Sequence, residues 1–174
     1  MASPWISVAS GVLGAVVGAA ITRLRAKSDT TFDLHAEFSS DAMLKNRSRA
    51  DKLLKEQPGR NLADVCDLEH AGAFDAVWAV VFFYEKLFIS ISHKLINKTI
   101  VPDLFGEIFI WWYEVYLREG LADNDWAATR RLKALKGWLQ ESIPQEEYFR
   151  WEDRARKDRD GRIAYSSERA GRPK

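Results

Sequence analysis

The sequence predicts an all-α protein, with a single N-terminal transmembrane helix followed by a cytoplasmic helical bundle. Three observations carry that reading. Residues 5–22, WISVASGVLGAVVGAAIT, hold no charged side chain and are followed at once by Arg23, Arg25 and Lys27. Downstream, apolar residues recur at spacings of three and four, and no segment alternates with the period of two that a half-buried strand requires. Proline and glycine divide the chain into helix-length pieces at Pro58-Gly59, Gly72, Gly120 and Ile143-Pro144.

Residues 1–27 form the anchor and its basic flank. A helix over 5–22 would be about 27 Å long, close to the hydrocarbon thickness of a bilayer, with Trp5 at one interface. A secretory leader would carry its basic residues before the apolar stretch, whereas here they follow it. Glycines 11, 14 and 18 with Ser7 and Ser10 are poor material for a soluble helix and ordinary in a membrane helix. Ser10, Gly14 and Gly18 repeat every four residues, the small-residue geometry that lets two membrane helices pack closely, so the span is expected to self-associate. Arg23, Arg25 and Lys27 set topology: by the positive-inside rule the remainder lies in the cytoplasm, beneath the inner membrane.

Residues 28–151 supply the bundle. Ser28 or Asp29 can cap a short helix carrying Phe32, Ala36 and Phe38, or the anchor helix can run on through 28–39; the sequence leaves both open. Ser40 caps a helix to about Glu56, with Met43, Ala50 and Leu54 on one face. Asn61 caps a turn reaching Leu68. Residues 73–95 include VWAVVFFYEKLFISI, but Asp75, Glu85, Lys86, His93 and Lys94 leave no uncharged run near twenty residues, which predicts a central bundle helix instead of a second span. Pro102 suits the first turn of the next helix, which buries Leu104, Phe105, Ile108, Phe109, Trp112 and Val115 and ends at Gly120. Asp103, Glu107, Ile110, Glu114 and Arg118 make its other, mostly polar line. The two helices are expected to pair antiparallel at the centre.

Asp123 or Asp125 begins a helix to about Gln140 with Ala127, Ala134, Leu135, Trp138 and Leu139 as its apolar face. Ser142 with Gln145 is a capping-box spacing, so a last helix is predicted there, fading after Trp151. Residues 152–174, dense in Arg, Asp and Glu, read as a charged, disordered tail.

Composition excludes several function classes. A formal net charge of +1 gives no basic field for nucleic acid, so no nucleic-acid partner is expected. The single Cys66 forms no internal disulfide and suits a reducing compartment. His35, His70 and His93 lie on separate segments with no zinc-ligand spacing, so neither a metal nor any other cofactor is implied, and no Gly-rich phosphate loop is present. Trp111-Trp112 with Phe105 and Phe109 reads first as core and second as a ligand groove. Trp126, Arg130 and Lys133, with Arg131, Lys136 and Trp138 nearby, compose a basic, tryptophan-bearing helix that would suit anionic lipid headgroups. Glu85 and Arg47 each place a charge on an apolar face; buried charges persist when paired, so the two are expected to meet between their helices.

The run FFYEKL followed by NKTIVPDLFGEIFIWWYE resembles an uncharacterised bacterial family, filed only as a domain of unknown function. The resemblance covers roughly residues 32–139 and rests on Arg47, Tyr84-Glu85, Leu104-Phe105-Gly106 and Trp111-Trp112. It implies one N-terminal membrane span with a helical cytoplasmic domain, and it implies no activity, since none of these is a catalytic motif.

The leading expectation is therefore a membrane-tethered, non-enzymatic interaction module that self-associates through its span, contacts membrane lipid and binds a cytoplasmic protein partner. Two alternatives differ in class. One is an effector acting on the membrane in stress or phage defence, supported by the Gly-rich span. The other is an enzyme with an interhelical site built from Glu85, Glu107 and Glu114.

Overall fold

The computed structural model describes the backbone of residues 4–56, 62, 71–121 and 125–170, and the side chains of 19, 21–56, 62, 75–121 and 125–164. All regular structure among the described residues is helical. Helix α1 spans Pro4–Phe38 without interruption, which answers the question left open at residues 28–39. Thr30 and Thr31 turn their hydroxyls back to the carbonyls of Ala26 and Lys27, at 2.9 and 2.7 Å, so this stretch behaves as helix interior and Ser28 and Asp29 cap nothing. At 1.5 Å per residue the helix is about 52 Å long. Of its described side chains, Thr31, Leu34 and Phe38, spaced by three and four, are buried, while Ile21 and Leu24 are exposed.

The small-residue line of Ser10, Gly14 and Gly18 lies outside the residues whose side chains are described, as does most of the span expected at 5–22. Among the described residues no helix is long and apolar enough to cross a membrane. Pro58-Gly59, the turn from Asn61 apart from Leu62, Cys66, His70 and Asp123 also lie outside the description.

Helix α2, Asp41–Glu56, begins where the sequence places it: Ser40 accepts a bond from the Met43 amide at 3.3 Å, and Met43, Ala50 and Leu54 are buried. Helix α3, Ala71–Ser92, ends in a connection where Lys94 takes a positive φ of 57°. That connection latches α1. The Asn97 amide donates to Thr31 Oγ1 at 2.9 Å and its side chain donates to Ser28 Oγ at 3.2 Å.

Helix α4 covers residues 102–120 and alternates in type: a π turn at Pro102–Gly106, α-helix at Glu107–Trp112, a second π turn at Tyr113–Leu117 and a final α turn at Arg118–Gly120. A π turn takes more residues to complete than an α turn, so it shifts every following side chain around the axis. The polar line expected from regular 3.6-residue spacing is corrected by this. Ile110 and Glu114 turn inward and are fully buried, while Asp103, Glu107 and Arg118 stay exposed.

Helix α5, Ala127–Ser142, buries Ala128, Thr129, Leu132, Leu135 and Leu139, so its inner face lies one position away from the expected Ala127 and Ala134. The capping box at Ser142 does not form: that hydroxyl bonds back to the Trp138 carbonyl at 2.7 Å, and the next helix starts beyond Pro144. Helix α6, Gln145–Ala170, is far longer than the sequence suggests. The reading of 152–174 as a disordered tail is thus corrected through residue 170, because Glu152 and Ala155 are buried and Arg162 is bonded across the molecule to Asp51. Low hydrophobicity concealed a helix held by charge pairs along its length.

Backbones approach most closely between α2 and α3, between α3 and α5, and between the middle of α4 and α6. Helices α3 and α4 meet through rings, with Tyr84 against Phe109 at 4.9 Å and Phe83 against Phe105 at 5.8 Å. Gly106 sits where α4 crosses α6. A Cβ there would stand 2.7 Å from Trp151 Cζ3, so the site admits no side chain without displacing the indole.

Candidate functional site

Two clusters of polar side chains inside the bundle bear on function. The first is a chain of charges across α4, α5 and α6. Glu114, with its side chain fully buried, accepts from Lys136 on α5 and from Arg118 one turn on at 2.9 Å. Lys136 also donates to Glu152 of α6 at 3.0 Å, and Glu152 pairs with Arg156 at 3.2 Å. Burial pushes the Glu114 carboxyl up, but the bonds and charges of Lys136 and Arg118 outweigh it and hold the group below the ordinary carboxylate range. Burial likewise pushes the Lys136 ammonium down, and Glu114 and Glu152 hold it above its ordinary value. With every member paired, this network locks three helices in register and offers no open position to a substrate. The sequence signal for it was the spacing of four between Glu114 and Arg118 on one line of the helix.

The second cluster borders a cavity of about 660 Å³ where the end of α1, the middle of α2 and the first π turn of α4 converge. Phe38, Phe105, Trp111 and Trp112 form its aromatic walls, His35 and Arg47 its basic side, and Asp103 and Glu107 stand among the remaining lining residues. Each is placed by local structure. Helix α1 delivers His35 and Phe38 on its last turn. The π turn at Pro102–Gly106 brings Phe105 inward, where its ring lies 5.9 Å from Phe38 and 5.8 Å from His35. Trp111 is fixed from behind by a 2.9 Å bond from its indole nitrogen to Asp158 of α6.

Arg47 does not meet Glu85. Its guanidinium lies 4.1 Å above the Phe38 ring, and its Nε is buried without an acceptor. Glu85 instead accepts from Arg131 of α5. The expected pair is replaced because the aromatic residues of α1 stand beside α2 and give Arg47 a ring face, while α5 lies along α3 and brings Arg131 to the acid. Tyr84 is fully buried with its hydroxyl unpartnered; burial pushes that phenol far up, and the nearby Arg47 charge opposes the shift.

The carboxylates considered for an interhelical enzyme site are dispersed. Glu85 is committed to Arg131, Glu107 to Arg154, and Glu114 to Lys136 and Arg118. Of the basic, tryptophan-bearing face, Arg130 is bonded to Asp125 at 2.7 Å, Trp126 packs against Trp78 at 5.4 Å and Lys133 is exposed. Arg23 and Arg25 are exposed on α1, with Lys27 half-buried. Among the described residues, no group of three or more histidines, cysteines, aspartates or glutamates is gathered to hold a metal ion.

Phe109 belongs to the core, the first of the two readings of the aromatic stripe, while Phe105, Trp111 and Trp112 also line the cavity with His35, which stands on the last turn of α1. Arg47 carried the right signal, a charge interrupting an apolar stripe, with the wrong partner attached. No family model, curated protein or solved structure matches the chain.

Proposed function

We propose that the protein is a membrane-tethered, non-enzymatic recognition module, held at the inner membrane by residues 5–22 with its helical bundle in the cytoplasm. The observation that best supports this is the continuity of α1. One helix, Pro4–Phe38, joins the uncharged N-terminal stretch to the bundle, and its last turns are fastened by Thr31, Leu34 and Phe38. Between the two, residues 21–26 are exposed and carry Arg23 and Arg25, as suits a stalk leaving an anionic bilayer surface. The dispersal of Glu85, Glu107 and Glu114 into separate ion pairs favours binding over catalysis.

Pairing of spans through Ser10, Gly14 and Gly18 would bring two bundles together at raised local concentration. In membranes from expressing cells, the full chain should resist extraction by alkaline carbonate, and a chain lacking residues 5–22 should be soluble. Extraction of the full chain overturns the tether.

A further inference from the structure

We infer that the cavity between α1, α2 and α4 is a binding site for a small aromatic carboxylate, held by the Arg47 guanidinium against walls of Phe38, Phe105 and Trp111. This deepens the recognition reading by giving the bundle a ligand class. Three observations lead to it. First, among the described residues Arg47 is a cation without an anion. Its charge is paired with none of their carboxylates, and its buried Nε has no acceptor, so hydrogen-bonding capacity is left over beside the cavity that Arg47 lines. Second, the guanidinium is held in place. Stacked 4.1 Å over Phe38, it keeps a fixed position, and its planar fork of donors matches a carboxylate in two parallel bonds. Third, the space suits the ligand: about 660 Å³ falls in the range of small-molecule pockets, and its walls are mainly apolar and aromatic with a few polar groups.

Charge selects among anions. Asp103 and Glu107 also line the cavity, and although Glu107 is neutralised by Arg154, the exposed Asp103 would repel a second negative charge. A monocarboxylate therefore fits better than a phosphate monoester. The aromatic body follows from the indole of Trp111, whose own nitrogen is already committed to Asp158, leaving the ring to make apolar and stacking contact.

The test uses the full chain in lipid nanodiscs, with 2-naphthoate and its neutral counterpart 2-naphthamide as probes in calorimetric and ligand-observed NMR titrations. The acid should bind saturably and at least about tenfold more tightly than the amide, the difference that one charge-assisted pair supplies. In Arg47→Gln that preference should collapse to near unity, a ratio that loosened packing alone would not produce. Ser39→Trp, an exposed position lining the cavity, should block both probes without touching the core. Absence of saturable binding up to about 10 mM, equal affinity for acid and amide, or binding of the acid undisturbed by Ser39→Trp would each overturn the site. None of these results bears on carbonate extraction, so the tether and the ligand site stand or fall separately.

Discussion

Lys136 shows how much a single side chain carries. It pairs with both Glu114 and Glu152, and Glu114 is shut off from solvent. Lys136→Ala would leave Glu114 buried with Arg118 alone, at a cost of about 3 kcal/mol in urea denaturation. Glu85→Gln breaks a pair whose arginine is two-fifths exposed, and should cost under about 1 kcal/mol. Equal losses in the two variants would show that burial does not separate these pairs. The same network fixes a pH dependence. Because Glu114 titrates below its unfolded value, its contribution is present above about pH 4.5 and is lost as pH falls through the depressed folded value. Lys136 titrates above its unfolded value, so its contribution persists up to about pH 10.5 and is lost as pH rises through the folded one. The contribution of this pair should be constant between those limits, and Lys136→Ala should flatten the acid limb. Sequence disclosed the Glu114–Arg118 pair through its spacing of four, but Lys136 and Glu152 became partners only once three helices were assembled.

Helix existence was legible in the chain because apolar spacing and Pro or Gly punctuation are local signals. Helix α2 shows this best, with Ser40, Met43, Ala50 and Leu54 all in their expected roles. The π turns of α4 were not legible, since the first lies against α5, the second against α6, and neither carries a residue pattern of its own. Nor was the length of α6. Its charges read as a tail, yet Arg162 reaches Asp51 and the Tyr116 hydroxyl, and its guanidinium stands 5.1 Å from the Trp111 ring. A chain ending after Trp151 should therefore lose at least about 3 kcal/mol in chemical denaturation, because Glu152 leaves Lys136 and Ala155 leaves the core. A disordered tail would be removed at no cost. At the α4–α6 crossing, Gly106→Ala should destabilise by about 1 to 3 kcal/mol through overpacking. Combining it with Trp151→Leu should recover part of that loss, which a double-mutant cycle reads as coupling between the two positions. Additive losses would mean that the helices part elsewhere.

At the scale of the molecule, α1 belongs to two regimes, and the division falls near residue 28. On the bundle side, Ser28 and Thr31 are bonded to Asn97, Leu34 and Phe38 enter the core, and Glu37 pairs with Lys86 of α3. On the other side, Ile21, Thr22, Arg23, Leu24, Arg25 and Ala26 are all exposed. If the folding energy of the bundle resides wholly beyond residue 27, removing residues 1–22 should leave its denaturation midpoint within about 1 kcal/mol of the parent. The same deletion removes the uncharged segment and should transfer the protein to the soluble fraction. Removing residues 1–38 should instead cost more than about 4 kcal/mol, since it withdraws two large buried side chains and uncovers the Asn97 latch together with the aromatic faces of Phe83 and Phe105. Circular dichroism of the two truncations under urea separates these outcomes. A bundle equally tolerant of both deletions would mean that α1 lies on the domain without being part of it, and that the buried side chains of Leu34 and Phe38 contribute nothing to its stability.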